Sequence, residues 1–237
     1  MPSRLRLTLL LALAGLAAAP GPAVALDTET LQRRLARESA KLGGASGAHV
    51  VDLQSGTTLF SRRADVPRIP ASNQKLAVTA AALLRFGPEA TLETAVRVLS
   101  GTVVGADGSL PGDLYLVGGG DPSLDDHDLR ALATQIAAAG ITAVEGGVVG
   151  DESLFDQRRG GPRTGWRADG DMGGWLSALA WGHGRAYPGG PATVAASRLH
   201  LFLRQAGVEL GRRPRSGVLP DAPGLLLGTT ASPPMRT

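Results

Sequence analysis

Apolar residues at helical spacing run through residues 27–42, where Leu31, Leu35 and Leu42 recur and Asp27 or Thr28 stands ready to cap. Gly43 and Gly44 stop that helix. Two short apolar segments, 48–53 and 57–61, flank Gln54-Ser55-Gly56 and predict a hairpin. Residues 62–70 form a polar connector ending in Pro70. The clearest helix spans 72–86: it follows Pro70 and stops at Gly87-Pro88. Between Leu76 and Leu84 only Thr79 is polar, so this helix is apolar on every side and is expected inside a domain. Beyond it the texture changes. Residues 91–99, 113–117 and 141–150 predict strands, and 126–139 and 192–206 predict helices that end at Gly140 and Gly207. Residues 157–174 are Gly/Arg-rich and predict loop, and the tail from Arg212 onward shows no recognisable closing element.

Composition sharpens this picture at three points. The chain has 237 residues, enough for one large domain or two small ones, and no cysteine, which excludes disulfides, thiolate zinc sites and Cys nucleophiles. All 24 basic residues are Arg except Lys41 and Lys75, and Asn73 is the sole Asn, so each survivor is informative. Arg4 and Arg6, the apolar run 7–19 and Ala23-Val24-Ala25 have the form of a secretory signal peptide over residues 1–25. Its apolar run is too short for a stable membrane span. Cleavage would remove two of the charges behind the formal +3, leaving no electrostatic case for a nucleic-acid partner. An exported, cysteine-free chain of this kind points to the bacterial cell envelope or the exterior.

Candidate chemistry centres on Ser72-Asn73-Gln74-Lys75. Ser and Lys three residues apart on a helix share a face, one turn apart. A Ser hydroxyl needs a base to become a nucleophile, and a Lys can be that base where burial and the helix dipole lower its pKa. Arg cannot, because it keeps its proton. Ser72 is therefore the candidate nucleophile and Lys75 the candidate general base. Other groups are weaker. Gly118-Gly119-Gly120 lacks a following Gly-Lys-Ser/Thr and predicts a turn rather than a phosphate loop. Asp125, Asp126, His127 and Asp128 suit a helix N-terminus better than a metal, and no metal or cofactor is expected. His49, His183 and His200 are scattered and no G-x-S-x-G elbow exists, which disfavours a Ser-His-Asp hydrolase.

Residues 68–76 (RIPASNQKL) with 84–88 (LRFGP) resemble the active-site region of class C low-molecular-mass penicillin-binding proteins, the D-alanyl-D-alanine carboxypeptidases and endopeptidases of peptidoglycan. The resemblance continues through 112–122 (GDLYLVGGGDP) and 147–156 (GVVGDESLFD), and less tightly through Gly165-Trp166 and 176–179 (LSAL). It implies an α/β (α+β) fold of the serine DD-peptidase/β-lactamase type: residues 26–93 would open the transpeptidase-like domain and 94–237 would belong to a large mixed α/β insertion. It also implies acyl-enzyme chemistry at Ser72, with its backbone N–H helping to hold the oxyanion, D-Ala-D-Ala stem peptides as substrates and β-lactams as covalent inhibitors. The second-Ser motif S-x-N and the strand motif K-T-G are absent; Arg163-Thr164-Gly165 imitates the latter but lies in the expected insertion. The chain is thus expected to end inside that insertion, as the first part of the fold. A non-catalytic cell-wall scaffold and a β-lactamase-like hydrolase are the alternatives.

Overall fold

The computed structural model describes residues 27–185, 189–220 and 223–237. The leader expected at 1–25 lies outside them. The chain divides into two compact units between Ser72 and Asn73.

In the first unit, α1 (Thr28–Ala40) is followed by the antiparallel hairpin of β1 (Ala48–Val51) and β2 (Thr58–Arg62). Asp27 caps α1 by accepting from the Thr30 N–H at 2.8 Å. Asp52 organises the hairpin turn, accepting from the Gln54 N–H at 2.8 Å. Arginine joins the pieces: Arg62 donates to the Ser39 and Leu42 carbonyls, and Arg68 to those of Ala45, Arg63 and Val66. Ser39 is the one buried residue among the described residues of this unit, so backbone-directed hydrogen bonds rather than a core define it.

The second unit opens with α2 (Gln74–Phe86), followed by β3 (Glu93–Val98), β4 (Ser109–Leu110), β5 (Leu114–Gly118), α3 (Asp126–Ala138), β6 (Ala143–Val144) and β7 (Val148–Asp151). After a long loop come α4 (Gly190–Gln205), β8 (Glu209–Leu210), β9 (Arg215–Ser216) and β10 (Leu225–Ala231). Five strands form a mixed sheet in the order β10-β3-β5-β7-β9, antiparallel from β10 to β5 and parallel from β5 to β9. A small parallel sheet, β4-β6-β8, stands beside it.

Strand periodicity sorts the large sheet's two faces. Val96, Val98, Leu114, Leu116 and Val148 join a buried core with Leu129, Leu132 and Ile136 of α3 and Leu199, Phe202 and Leu203 of α4. The alternate positions Tyr115 and Val149 pack with Leu219 on the opposite face. Each fully buried Leu or Phe contributes about 1.5–3 kcal/mol, so the two-helix face holds the unit together. Gly150 lets α4 approach the sheet, because a Cβ there would lie 2.2 Å from the Ala192 carbonyl oxygen.

Three expectations need correction. The helix over 72–86 exists, but its first turn is a 3₁₀ turn, Ala71–Asn73, and none of α2's residues is buried: Leu76 is 73% and Leu84 88% exposed. Composition made α2 apolar all round, but no layer of the described residues encloses it. The single strand expected over 141–150 is two, because Glu145-Gly146-Gly147 turns the chain from the small sheet into the large one. The tail from Arg212 holds a strand that the sequence does not announce: β10 pairs with β3, and beyond it the Ser232, Met235 and Arg236 N–H groups bond to the Leu92, Ala90 and Pro88 carbonyls.

Candidate functional site

Ser72 and Lys75 stand on either side of the start of α2. Ser72 is the middle residue of the 3₁₀ turn, and that turn leads directly into α2, whose second residue is Lys75. Both are exposed. Ala71, just before Ser72, has φ of 47°, a left-handed conformation that costs a non-glycine residue roughly 1 kcal/mol or more. Pro70 before it and the helix after it bracket this strained residue. Asn73 at the cap position makes no side-chain bond to the helix's first N–H groups, so among the described residues the positive end of α2 has no side-chain acceptor. Because both side chains are exposed, the burial expected of a lysine base is not supplied by the described residues.

The other motifs converge elsewhere in the second unit. Residues 112–122 supply β5 and its turn, residues 147–156 supply β7, and the two strands are hydrogen-bonded neighbours. Gly118 and Gly119 are required by crowding, since a Cβ would meet the Ala178 carbonyl oxygen at 2.2 Å or that of Glu93 at 2.1 Å. The three glycines are thus a packing turn. Asp121 is buried and accepts from the Ser123 N–H at 2.8 Å and hydroxyl at 2.6 Å. Asp151, 3% exposed, accepts from the Ser153 N–H at 2.8 Å and the Leu219 N–H at 2.7 Å, tying β7 to the chain beyond β9.

A cluster that the sequence did not single out links these motifs to residues 176–179. Arg159 donates to both Glu152 oxygens, at 2.6 and 2.8 Å, and to the Leu176 carbonyl at 2.9 Å. The Ser177 hydroxyl donates to the same Glu152 at 2.5 Å, and the Gly120 N–H donates to the Ala178 carbonyl at 2.8 Å. Glu152 falls within 147–156 and Ser177 within 176–179, but Arg159 sits in a Gly/Arg-rich stretch with no periodicity to mark it.

The acidic run 125–128 is a helix start. Asp125 and Asp128 form a capping box, and Asp126 accepts from Arg198 and from the Trp181 indole N–H. The Arg198 guanidinium holds the Asp126 carboxyl below its ordinary range. Among the described residues no group of three or more His, Cys, Asp or Glu is placed to hold a metal. Arg163-Thr164-Gly165 lies in a 3₁₀ turn closed by left-handed Gly165, not in a strand. His49, His183 and His200 fall in the first unit's hairpin, in the long loop and on α4.

Comparison with known proteins gives this arrangement a context. Residues 28–175 match the D-Ala-D-Ala carboxypeptidase 3 (S13) family. A D-alanyl-D-alanine carboxypeptidase of Actinomadura sp. (strain R39) is 39% identical over 155 residues, covering 65% of this chain and 28% of the relative. Carboxypeptidase Rv3627c of Mycobacterium tuberculosis is 32% identical over 185 residues, covering 71% of this chain and 37% of the relative. The chain thus spans about a third of the length of these relatives. The crystal structure of penicillin binding protein 4 (dacB) from Haemophilus influenzae superimposes with a TM-score of 0.64 at 19% identity, covering 85% of this chain and 60% of that one, which shows a shared fold.

Proposed function

Since the chain belongs to the D-Ala-D-Ala carboxypeptidase 3 (S13) family, we propose that it is the nucleophile-bearing part of a serine DD-peptidase that trims peptidoglycan stem peptides. The observation that carries this reading is Ser72-Asn73-Gln74-Lys75, inside the matched residues, at a strained turn that runs into the uncapped start of a helix. Residues 26–93 are assigned to a transpeptidase-like domain and 94–237 to an insertion within it.

In this reading the Ser72 hydroxyl oxygen attacks the carbonyl carbon of the penultimate D-Ala while its proton passes to the Lys75 amine. The backbone N–H of Ser72 stabilises the oxyanion. Collapse of the tetrahedral intermediate expels the terminal D-Ala, which takes up that proton, and leaves an ester on Ser72. Water then hydrolyses the ester and regenerates the hydroxyl. A β-lactam carbonyl would be attacked in the same way, and the Haemophilus influenzae protein with the shared fold has been crystallised with one. The reaction lies outside the cytoplasm, with residues 1–25 as the export signal. No helix among the described residues is long and apolar enough to cross a membrane.

The test is covalent labelling of the gene product that contains this chain. A fluorescent penicillin should acylate it on the peptide carrying Ser72, and Ser72→Ala should abolish the label. Lys75→Arg should slow acylation by about 100-fold or more, because a guanidinium keeps its proton. Undiminished labelling of Ser72→Ala would overturn the assignment, and a wild-type product that takes no label would favour a non-catalytic scaffold.

A further inference from the structure

The long loop between β7 and α4 carries two clefts, of about 700 and 520 Å³, that share Trp175 as a wall. Trp166 lines the first and Phe155 the second. The chain has three Trp and only 4% aromatic residues, yet two of the three Trp line these clefts. Trp166 is 42% and Phe155 47% exposed. Large aromatic surfaces normally go to a core or an interface, and here they are held outside the core.

They are also held in place. The Arg159 N–H donates to the Trp166 carbonyl at 2.9 Å, the Leu176 N–H donates to the Arg159 carbonyl at 3.2 Å, and the Trp175 N–H donates to the Gly184 carbonyl at 2.7 Å. The Arg159–Glu152 pair fixes the base of this scaffold, and Arg158 stacks 4.4 Å over the Trp166 ring. Both tryptophans therefore sit on ordered backbone, which lowers the entropy cost of binding.

The hydrogen-bonding inventory shows an excess of donors. The Trp181 indole N–H donates to Asp126, whereas those of Trp166 and Trp175 have no partner among the described residues. Arg167, lining the first cleft, donates only from Nε to the Thr164 carbonyl, at 3.3 Å, and has no acidic partner among the described residues. Flat aromatic faces beside unused donors suit a ligand with flat C–H faces, many acceptor oxygens and no positive charge. Those are the properties of a saccharide, and an acetamido group adds both a carbonyl for Arg167 and a methyl for an indole face.

We propose that these two clefts bind an N-acetylated saccharide chain, its sugar rings stacked on Trp166 and Trp175 and an acetamido carbonyl accepting from Arg167. That this saccharide is the glycan of the cell wall rests on the peptidase reading above. The site would hold the glycan strand while its stem peptides are presented elsewhere.

The β-1,4-linked tetramer of N-acetylglucosamine is the probe, titrated into the 237-residue chain with the three indole N–H resonances followed by NMR. The signals of Trp166 and Trp175 should move at saccharide concentrations of about 1 mM or below, while that of Trp181, engaged with Asp126, stays still. This readout needs no substitution. Trp166→Ala and Trp175→Ala, each checked for native circular dichroism, should weaken binding about tenfold. Arg167→Gln should weaken it about threefold and narrow the preference over the glucose tetramer, which lacks the acetamido groups. Unmoved Trp166 and Trp175 signals at about 10 mM, or folded Trp variants that bind like wild type, would overturn the proposal. Ser72→Ala should bind the saccharide normally. Penicillin labelling and saccharide binding thus succeed or fail separately.

Discussion

Arg159 grips Glu152 with both arms of its guanidinium, at 2.6 and 2.8 Å, and the two side chains are only 15% and 13% exposed. Together with the Ser177 hydroxyl on the same carboxylate, this pair is the joint at which β7, the long loop and residues 176–179 meet. Removing one partner of such a mostly buried pair leaves the other charged and desolvated. Arg159→Ala should therefore destabilise the second unit by about 3 kcal/mol, read as a lower urea midpoint. Glu152→Gln, which keeps the shape and one acceptor, should cost less. A midpoint unchanged in Arg159→Ala would show that the pair is solvated in solution.

Asp151 gives a second test. Its two oxygens each satisfy one backbone N–H, of Ser153 and of Leu219. Asp151→Ala strands both donors in a buried place and should cost about 2–4 kcal/mol. Asp151→Asn keeps one acceptor oxygen and should recover part of that loss in the same denaturation experiment.

Gly150 should tolerate no side chain. A Cβ 2.2 Å from the Ala192 carbonyl oxygen pushes α4 off the sheet. Gly150→Ala should lower stability by about 1–3 kcal/mol. Gly161→Ala, where a Cβ meets nothing within 4 Å, is the control and should be near neutral.

His200 on α4 predicts a pH dependence. Its Nδ1 is buried without a partner among the described residues; burial, and then the charge of Arg204, push its pKa below the ordinary 6.5. The unfolded chain takes up a proton near that value while the folded chain still resists it. Stability contributed by this site is thus complete above 6.5 and declines as pH falls from there toward the lower folded-state pKa. His200→Gln should flatten this segment of the stability–pH curve, and an imidazole titration midpoint above 6.5 by NMR would contradict the assignment.

Leu84 tests the exposure of α2. At 88% exposed it contributes little to packing, and Leu84→Gln in the 237-residue chain should change stability by less than about 0.5 kcal/mol while reducing self-association. A loss of several kcal/mol would mean that the helix is covered.

Much of this architecture is legible in local sequence, and the exceptions share a cause. Asp27 before α1 and Asp125 before α3 announce helix starts because a cap is a local hydrogen bond. The hairpin is visible in Gln54-Ser55-Gly56 for the same reason. β10 is not, because Leu225-Leu226-Leu227 shows no alternation and its strand character comes from a partner far back in the chain. The exposure of α2 is not legible in its own residues, because an all-apolar helix reports what could cover it, not what does. Ser72 and Lys75 stand out by spacing and by the scarcity of Lys, whereas the Trp166–Trp175 clefts depend on a loop closure that no spacing encodes.

The pairing of β10 with β3 has a consequence for how the molecule is made. Glu93 meets Ala231 and Val98 meets Leu225, so the first-synthesised strand of the large sheet waits for a strand that follows every other strand of that sheet. Gln135 of α3 seals the join, giving its amide to the Thr229 carbonyl at 3.1 Å and receiving the Thr229 N–H at 3.0 Å. During translation β3 therefore emerges with one edge unsatisfied, and it stays open until the ribosome has delivered β10. Such non-local closure slows folding and exposes a strand edge to other chains. A pause in synthesis before residue 225 would leave a nascent chain prone to intermolecular strand pairing, whereas a pause after 231 would not.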